Sequence, residues 1–381
     1  MFKGFFLGGF EGAAGRNRQG NWFDGISSTH HDRLMNEDYS LLKTFKISTV
    51  RECVRWPLVN RGRTFDFSTL DVLIESGRRA GFTTIYDLFH FGYPDSIDLL
   101  SEEFPKRFAE YCFQVARRVH RETEGECYFT PINEPSYLAW AGGDVGLFPP
   151  YLKNTGFDLK VALVRAAICG TEAIWAACPN ARIVSVDPFC RVAPDSLDPH
   201  AIARADAFNA SVVFQSWDML AGRFMPELGG SLKHLDIVGI NYYWTNQWIL
   251  DEPWAPLNAQ DVRRMPLRYI ARTVWKRYGQ EILLSETSHV GEMRAQWMKE
   301  LVSEIEAIRA LKIPLLGVCW YPVLEMADWH MPSLWTPMGL WDLDHAGGSM
   351  RRTAYKPVLN ALRAAQERLE ITTLDTQRLI A

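Results

Sequence analysis

Two glutamates follow strand-like segments of the chain and together could carry out acid–base or nucleophilic chemistry. Glu134 follows the apolar run 128–133, in TPINEP, and Glu286 follows the run 281–285, in ILLSET. Two carboxyl groups that face each other suit the cleavage of a glycosidic bond, because one protonates the leaving oxygen while the other attacks the anomeric carbon or activates water. Ion pairs with Arg51 or Arg55 would also account for either acid, so the residue types alone leave both interpretations open.

Eight short apolar runs supply the strands that must position these acids. Each run is rich in Val, Ile, Phe or Tyr and is followed by a loop, which is typical of buried parallel strands. The runs cover residues 5–10, 48–54, 83–89, 128–132, 182–186, 236–240, 281–285 and 315–320. Helix-like segments include residues 33–45, 68–80, 103–121, 158–177, 293–311 and 353–369.

This alternation of strands and helices predicts a (β/α)8 barrel as one domain over residues 1–370, followed by a tail over residues 371–381. A doubly wound open sheet agrees with the same pattern. The longest connections, 135–157, 187–203 and 242–261, all follow strands. In a barrel they would surround the carboxyl-terminal face, where active sites are built and where strand-end acids point into the mouth.

Composition limits the class of protein. The chain has 381 residues with 47% hydrophobic and 23% charged residues, as soluble globular proteins do. A net charge of −4 gives no excess of cations for a phosphate backbone, so we expect no nucleic-acid partner. No apolar stretch reaches 18 residues and the short apolar N-terminus lacks the features of a signal peptide, so we expect no membrane partner and a cytoplasmic location.

Seven cysteines are scattered along the chain without a C-x-x-C pair. Their number is odd and their spacing predicts neither a zinc site nor a disulfide framework, which fits reduced core residues. The histidines likewise show no metal-ligand spacing, and we expect His30, His31 and His330 to lie on exposed loops.

The segments around the two acids resemble known sequences. Residues 130–135 are similar to the T-x-N-E-P acid/base motif of glycoside hydrolase family 1, a family of retaining β-glycosidases, and SET around Glu286 resembles that family's nucleophile segment, T-E-N-G. Further similar segments follow in the family's order along nearly the whole chain: RECVRWP with Arg51 and Trp56, DLFHFGYPD with His90, DIVGINYYWT with Asn241 and Tyr243, and WYPVLEMADW with Trp320, Asp328 and Trp329.

The resemblance implies a divergent, β-glucosidase-like enzyme that hydrolyses small or oligosaccharide β-glycosides with retention and needs no cofactor or metal. Glu134 would be the acid/base and Glu286 the nucleophile, held ionised by Arg51 and Tyr243. A retaining mechanism predicts that their carboxyl groups lie about 5–5.5 Å apart. Since Arg51 faces inward on its strand and Glu52 faces the opposite side, Arg51 is expected to pair with one of these two acids.

Further residues would hold the sugar. Asn133 would donate to the 2-hydroxyl, and a neutral His90 would bind another hydroxyl. Trp320 is the candidate platform for the ring, with Asp328 and Trp329 on its far side and Glu11 nearby. Four tryptophans, expected either to contact the aglycone or simply to pack, are Trp140, Trp244, Trp248 and Trp254.

The chain departs from the family pattern in places, and these departures affect the sugar more than the chemistry. The strand-1 segment reads GFEGAAG where the family has a sugar-binding Gln in A-x-Y-Q-x-E-G, and the nucleophile loop lacks N-G. A transglycosylase would use the same covalent intermediate, and a silent carbohydrate-binding barrel would keep the fold without needing either acid. A metal-dependent barrel hydrolase is a fourth class, but no His-x-His ends strand 1.

Overall fold

A computed structural model describes residues 2–62, 64–345 and 348–380, and its centre is a closed barrel of eight parallel strands. Each strand pairs with its neighbours in sequence, and the last strand pairs with the first. The barrel strands are β1 Phe6–Gly9, β2 Thr49–Cys53, β3 Thr83–Asp87, β4 Tyr128–Thr130, β5 Arg182–Pro188, β6 Ile237–Asn241, β7 Glu281–Thr287 and β8 Leu315–Trp320. The predicted (β/α)8 barrel is therefore confirmed.

Helices follow the strands and cover the outside of the barrel. They are α1 His31–Thr44, α2 Ser68–Ala80, α3 Glu103–Glu122, α4 Gly156–Ala177, α5 Pro199–Ala210, α6 Gln215–Leu220, α7 Leu267–Tyr278, α8 Met293–Ala310 and α9 Lys356–Ile380. Helix α9 continues past the predicted end at residue 369. The side chains of residues 371–380, and residue 381 as a whole, lie outside the described part, so the predicted tail stays a prediction. None of the helices in the described ranges is both long and apolar enough to cross a lipid bilayer.

Two layers of apolar side chains hold the barrel together. The inner layer consists of inward-facing residues of the strands, including Leu7, Ile85, Val184, Ile237, Leu283 and Cys319. The outer layer lies between strands and helices, and α3 shows how it forms: Phe104, Phe108, Tyr111, Val115 and Val119 recur at helical spacing and are all buried.

The two ends of α2 are stabilised in different ways. The helix begins after Phe67, whose side chain makes no capping hydrogen bond. Asp66 instead accepts a hydrogen bond from the Ser68 amide at 3.0 Å. At the other end Gly81 has a φ of +70° and ends the helix in the left-handed conformation, as its position indicates.

A buried ionic network joins α1 to the outer face of β2, away from the barrel mouth. His31 lies 2.7 Å from Asp38 and 3.1 Å from Glu52, and Arg352 makes two hydrogen bonds to Asp38 at 2.6 and 2.7 Å. The expectation that His31 is exposed is therefore wrong, because the outward-facing Glu52 needs a buried partner. Burial opposes protonation, but the carboxylates of Glu52 and Asp38 raise the pKa of His31 to about 9. Protonated His31 thus stabilises the fold below its unfolded pKa of about 6.5, and this contribution is lost as the pH rises through 9.

Replacing Asp38 with asparagine is expected to lower the free energy of unfolding by about 3–5 kcal/mol, because it leaves Arg352 and His31 as buried cations with one carboxylate fewer. Urea denaturation at pH 7 measures this change. The matched control is Glu75→Gln, which removes an exposed carboxylate paired with Arg78 and should leave the midpoint almost unchanged. Equal midpoints for the two variants would show that the network does not contribute to stability.

Candidate active site

The carboxyl ends of the barrel strands open into a cavity of about 1000 Å³. Its wall is completed by the connections after β4, β5 and β6, which include the helical turns Pro135–Leu138 and Ala139–Asp144 and a small sheet of Arg191–Ala193, Gln247–Ile249 and Glu252–Pro256. The predicted site residues that line this cavity are Glu11, His90, Asn133, Glu134, Tyr243, Glu286, Asp328 and Trp329.

Glu134 is held by the turn that leaves β4. Its φ is +48°, a conformation that costs a non-glycine residue about 1–3 kcal/mol, and its amide donates to the carbonyl of Val186 on β5. The side chain is buried, and its Oε1 accepts a hydrogen bond from Asn241 Nδ2 at 2.8 Å. Burial, followed by repulsion from Glu286, raises the pKa of Glu134 to about 8. Glu134 is therefore largely protonated at neutral pH.

Glu286 occupies a very different environment on β7. Arg51 donates a hydrogen bond to its Oε1, and the Tyr243 hydroxyl donates to its Oε2 at 2.9 Å. Both oxygens therefore have a donor, and the donor from Arg51 is cationic, which makes that hydrogen bond a strong, charge-assisted one. Arg51 does pair with one of the two strand-end acids, as its inward position on β2 predicts.

Arg51 also organises the residues next to Glu286. Its Nη2 donates to Asp87 at 2.6 Å and to the Asn133 side-chain oxygen at 2.7 Å. Since that oxygen is occupied, the Asn133 side-chain nitrogen is the group left to face a ligand. Only 1% of Arg51 is exposed, so its charge is balanced inside the protein by the carboxylates of Asp87 and Glu286.

Two neighbouring carboxyl groups favour the protonated form of His90, in contrast to the expected neutral imidazole. Its Nδ1 lies 2.9 Å from Asp87, and its Nε2 lies 3.6 Å from Glu11. Burial opposes protonation, but Glu11 and Asp87 outweigh it and raise the pKa of His90 to about 9. Burial in turn raises the pKa of Glu11, while His90 lowers it. The Asn133 nitrogen, 3.3 Å from His90 Nε2, is thus a second donor beside a protonated ring.

Comparison of structures identifies similar proteins over nearly the whole chain, and comparison of sequences identifies similarity over a shorter span. A family 1 β-glucosidase from Thermotoga maritima matches with a TM-score of 0.75 at 15% identity, covering 96% of this chain and 98% of that chain. The AHE enzyme from Alicyclobacillus herbarius matches with a TM-score of 0.78 at 17% identity, covering 95% and 97%. The chain has the fold of the family 1 β-glucosidases.

Sequence comparison reaches less far. The human lactase/phlorizin hydrolase is 26% identical in an alignment of 162 residues that covers 39% of this chain and 8% of that much longer protein. No protein-family model matches the chain. One structure of the Thermotoga β-glucosidase contains glucoimidazole and another contains deoxynojirimycin.

The sequence predicts that Trp320 lines the cavity of this β-glucosidase fold, but in the structure its side chain does not reach the cavity. It is 2% exposed, packs in the outer core, and donates from its indole nitrogen to the carbonyl of Met338 at 3.0 Å. Neighbouring residues of a strand face opposite sides, so it is Tyr321 that faces inward and lines the cavity. The prediction that Trp320 forms a platform in the site is therefore wrong, because Trp320 does not line the cavity.

The ring of Tyr321 occupies the space beside Gly9 of β1, where glycine has no side chain. A Cβ on Gly9 would lie 2.2 Å from the Tyr321 ring, so the ring occupies the volume that a side chain at position 9 would need. The ring is nearly parallel to His90, at 12° and 5.8 Å between centroids, and its hydroxyl lies 3.5 Å from His90 Nε2. The lack of a side chain at Gly9 is thus what lets the Tyr321 ring line the cavity beside His90.

The outer part of the cavity is mainly aromatic. Trp329 packs between Phe23 and Phe148, with both ring centroids 5.0 Å away, and the Oδ1 of Asp328 accepts two backbone amides, which fixes its carboxylate. Trp140, Trp244 and Trp248 also line the cavity. The side chain of Trp254 lies outside the described part of the chain.

Three residues that the sequence did not single out for a role complete the site. Asp87 bridges Arg51 and His90, Asn241 donates to Glu134, and Tyr321 forms the inner wall. Ser285 donates to the Asn241 oxygen at 2.7 Å and so orients its nitrogen toward Glu134. Asp87 and Asn241 end β3 and β6, so their strand-end positions were the available signal. Arg55, the other cation considered as a partner of the two glutamates, pairs instead with Asp24 at 2.8 Å.

Proposed function

We propose that the chain is a retaining β-glycosidase that hydrolyses β-glucosides or closely related β-glycosides. The observation that carries the proposal is the contrast between the two carboxyl groups. Glu134 is largely protonated at neutral pH, whereas both oxygens of Glu286 accept hydrogen bonds, one from Arg51 and one from Tyr243. One acid and one nucleophile facing one cavity are what a double displacement at an anomeric carbon requires.

The reaction would proceed in two displacements. A Glu286 oxygen forms a bond to the anomeric carbon as the bond to the leaving oxygen breaks, and Glu134 gives its proton to that oxygen. Glu134, now ionised, then removes a proton from water, whose oxygen attacks the anomeric carbon and releases Glu286. Two inversions give net retention, and the second displacement returns both carboxyl groups to their starting protonation.

The inner wall supplies groups of the kind that bind a sugar ring. The Asn133 nitrogen and protonated His90 are donors, while Glu11 and Asp328 offer acceptor oxygens. Asn133 is held by Arg51, which itself binds Glu286, so a donor to the 2-hydroxyl is mechanically coupled to the nucleophile. Such a contact strengthens as the oxocarbenium-like transition state develops.

The outer wall favours an apolar aglycone. It contains the indole rings of Trp140, Trp244 and Trp248 together with Phe157 and Phe208. Flat aromatic faces bury the apolar faces of a leaving group or of an acceptor. Transfer to an acceptor alcohol uses the same glycosyl-enzyme, and the ratio of transferred to hydrolysed product measures it.

The test of this function is intact-mass measurement after incubation with activated 2-deoxy-2-fluoro β-glycosides of several sugars, followed by peptide mapping. The fluorine slows breakdown of the glycosyl-enzyme, so the nucleophile stays labelled. We expect a gain of one sugar on the peptide that contains Glu286, and the sugar that reacts identifies the glycone. A label on another carboxylate would overturn the assignment of Glu286, and no label with any sugar would favour a silent binding barrel.

Activity is expected to fall as the pH rises through about 8, roughly tenfold in kcat/KM per unit above it, because deprotonated Glu134 can no longer protonate the leaving group. The measurement is kcat/KM from pH 5 to 9.5. The control is Glu134→Gln with a substrate whose leaving group needs no protonation. Its residual activity should lack the inflection near 8 and keep any change near 9 that comes from His90. An unchanged inflection near 8 in this variant would assign that titration to another group.

A further inference from the structure

The fold brings together three metal-ligating side chains at the end of the barrel opposite the cavity. His120 lies in the last turn of α3, Cys127 directly precedes β4, and Cys178 directly follows α4. The possible ligand atoms, one imidazole nitrogen and two sulfurs, all lie within 4.8 Å of one another. The spacing of the cysteines along the chain gives no sign of this cluster, because the folded α3 and α4 create it.

We propose that His120, Cys127 and Cys178 form a binding site for a thiophilic divalent cation of the Zn²⁺ type. Two thiolates and one imidazole are ligands that Zn²⁺ prefers, and three protein ligands leave a fourth position for water. His120 is exposed whereas both cysteines are buried, so an ion would enter the cluster from the solvent on the His120 side.

The geometry suits a tetrahedral ion with little rearrangement. Zinc–sulfur bonds of about 2.3 Å and zinc–nitrogen bonds of about 2.0–2.1 Å place two ligands of one ion roughly 3.5–3.8 Å apart. Cys178 Sγ already lies 3.5 Å from His120 Nδ1. The remaining separations, below 4.8 Å, require movements of about 1 Å, which rotation of the exposed His120 can contribute.

The backbone around the cluster is well fixed. The Cys127 carbonyl accepts the Arg182 amide at 2.8 Å, and the Cys178 carbonyl accepts the Ala181 amide at 3.0 Å. Arg182 in turn binds Asp236 and Glu281 across the base of the barrel. A bound ion would therefore connect the ends of α3 and α4 to the start of β4, while two released thiol protons leave the two thiolates and the ion without net charge.

The site is tested on the reduced, chelator-treated full chain by titration with Cd²⁺, whose bonds to thiolates absorb in the near ultraviolet. We expect one Cd²⁺ per chain, displacement of that ion by Zn²⁺, and a higher melting temperature when Zn²⁺ is present. Cys178→Ser and Cys127→Ser should each weaken binding at least 100-fold and remove the thermal shift, and His120→Ala should weaken binding at least tenfold.

The matched control is Cys169→Ser, which alters a half-buried cysteine of α4 outside the cluster and should bind as the unmodified chain does. Binding that survives both cluster cysteine substitutions, or no stoichiometric binding by the reduced protein, would overturn the proposal. The proposal would also be overturned if Cys127 and Cys178 of the reduced protein formed a disulfide although Zn²⁺ is present. None of these readouts uses glycosidase activity, so the outcome is independent of the proposed function.

Discussion

Replacing Glu286 with glutamine is expected to reduce turnover by a factor on the order of 10⁴ or more, because an amide is far too weak a nucleophile to form the glycosyl-enzyme. The change is nearly isosteric and keeps an oxygen that can accept a hydrogen bond from Tyr243 or Arg51. The loss should therefore appear in kcat while the fold remains intact. Steady-state kinetics with an aryl β-glucoside, together with circular dichroism and thermal denaturation, measures both.

Glu281→Gln is the matched control for this substitution. Glu281 begins the same strand, β7, but lies at the opposite end of the barrel, where it pairs with Arg182 at 2.9 Å. A charge removed there should leave turnover close to that of the unmodified chain. Near-normal turnover by the Glu286 variant would remove Glu286 as nucleophile, and equal losses in both variants would indicate general damage to β7.

The barrel and the position of both glutamates at its mouth could be predicted from sequence because the relevant signals are local. Each strand is a short apolar run, and Glu134 and Glu286 come where such runs end. A closed parallel barrel then brings those ends to one face, whatever the details of packing. The resemblance to glycoside hydrolase family 1 extended the prediction to further segments in the same order along the chain, and the structure confirms the fold that this resemblance implies.

The features that could not be predicted from the sequence depend on how residues are oriented and brought together by folding. Whether Trp320 or Tyr321 faces the cavity depends on which side of β8 each side chain takes at the strand end. The charge of His90 depends on Asp87, which is three residues away, but also on Glu11, which reaches it from the loop after β1. His31 similarly looked like a loop residue, since nothing local reveals its burial between Asp38 and Glu52.

The cluster of His120, Cys127 and Cys178 illustrates the same limit. A local motif such as C-x-x-C predicts a metal site because the ligands are already close in sequence. Here the ends of two packed helices and one strand bring the ligands together, so the signal exists only after folding. Spacing rules therefore detect local sites and miss those built by tertiary contacts.

Replacing Glu134 with alanine is expected to reduce hydrolysis of glycosides with poor leaving groups by about 10²–10⁴-fold, since the leaving oxygen is no longer protonated. A substrate with a highly acidic leaving group should still form the glycosyl-enzyme on Glu286, because its departure needs no acid. Hydrolysis of that intermediate should then be slow, because water has lost its general base. The variant is therefore expected to show a rapid burst of released aglycone followed by a slow steady state.

Azide distinguishes a missing acid/base from a damaged site in this variant. A small anion can enter the space left by the Glu134 side chain and attack the anomeric carbon without needing a base. Added azide should therefore accelerate the slow phase and produce a β-glycosyl azide. Glu286→Gln provides the contrast, since without a glycosyl-enzyme it should show neither burst nor acceleration.

The product of that rescue also reports the stereochemistry of the whole reaction. A β-glycosyl azide requires attack from the face that Glu134 occupies, opposite the bond to Glu286, and hence a covalent intermediate with inverted configuration. An α-azide would instead mean direct displacement and an inverting mechanism. Absence of any rescue, with the melting temperature unchanged, would demote Glu134 from acid/base to a residue that only positions its neighbours, because the vacated space would then give no access to the reacting carbon.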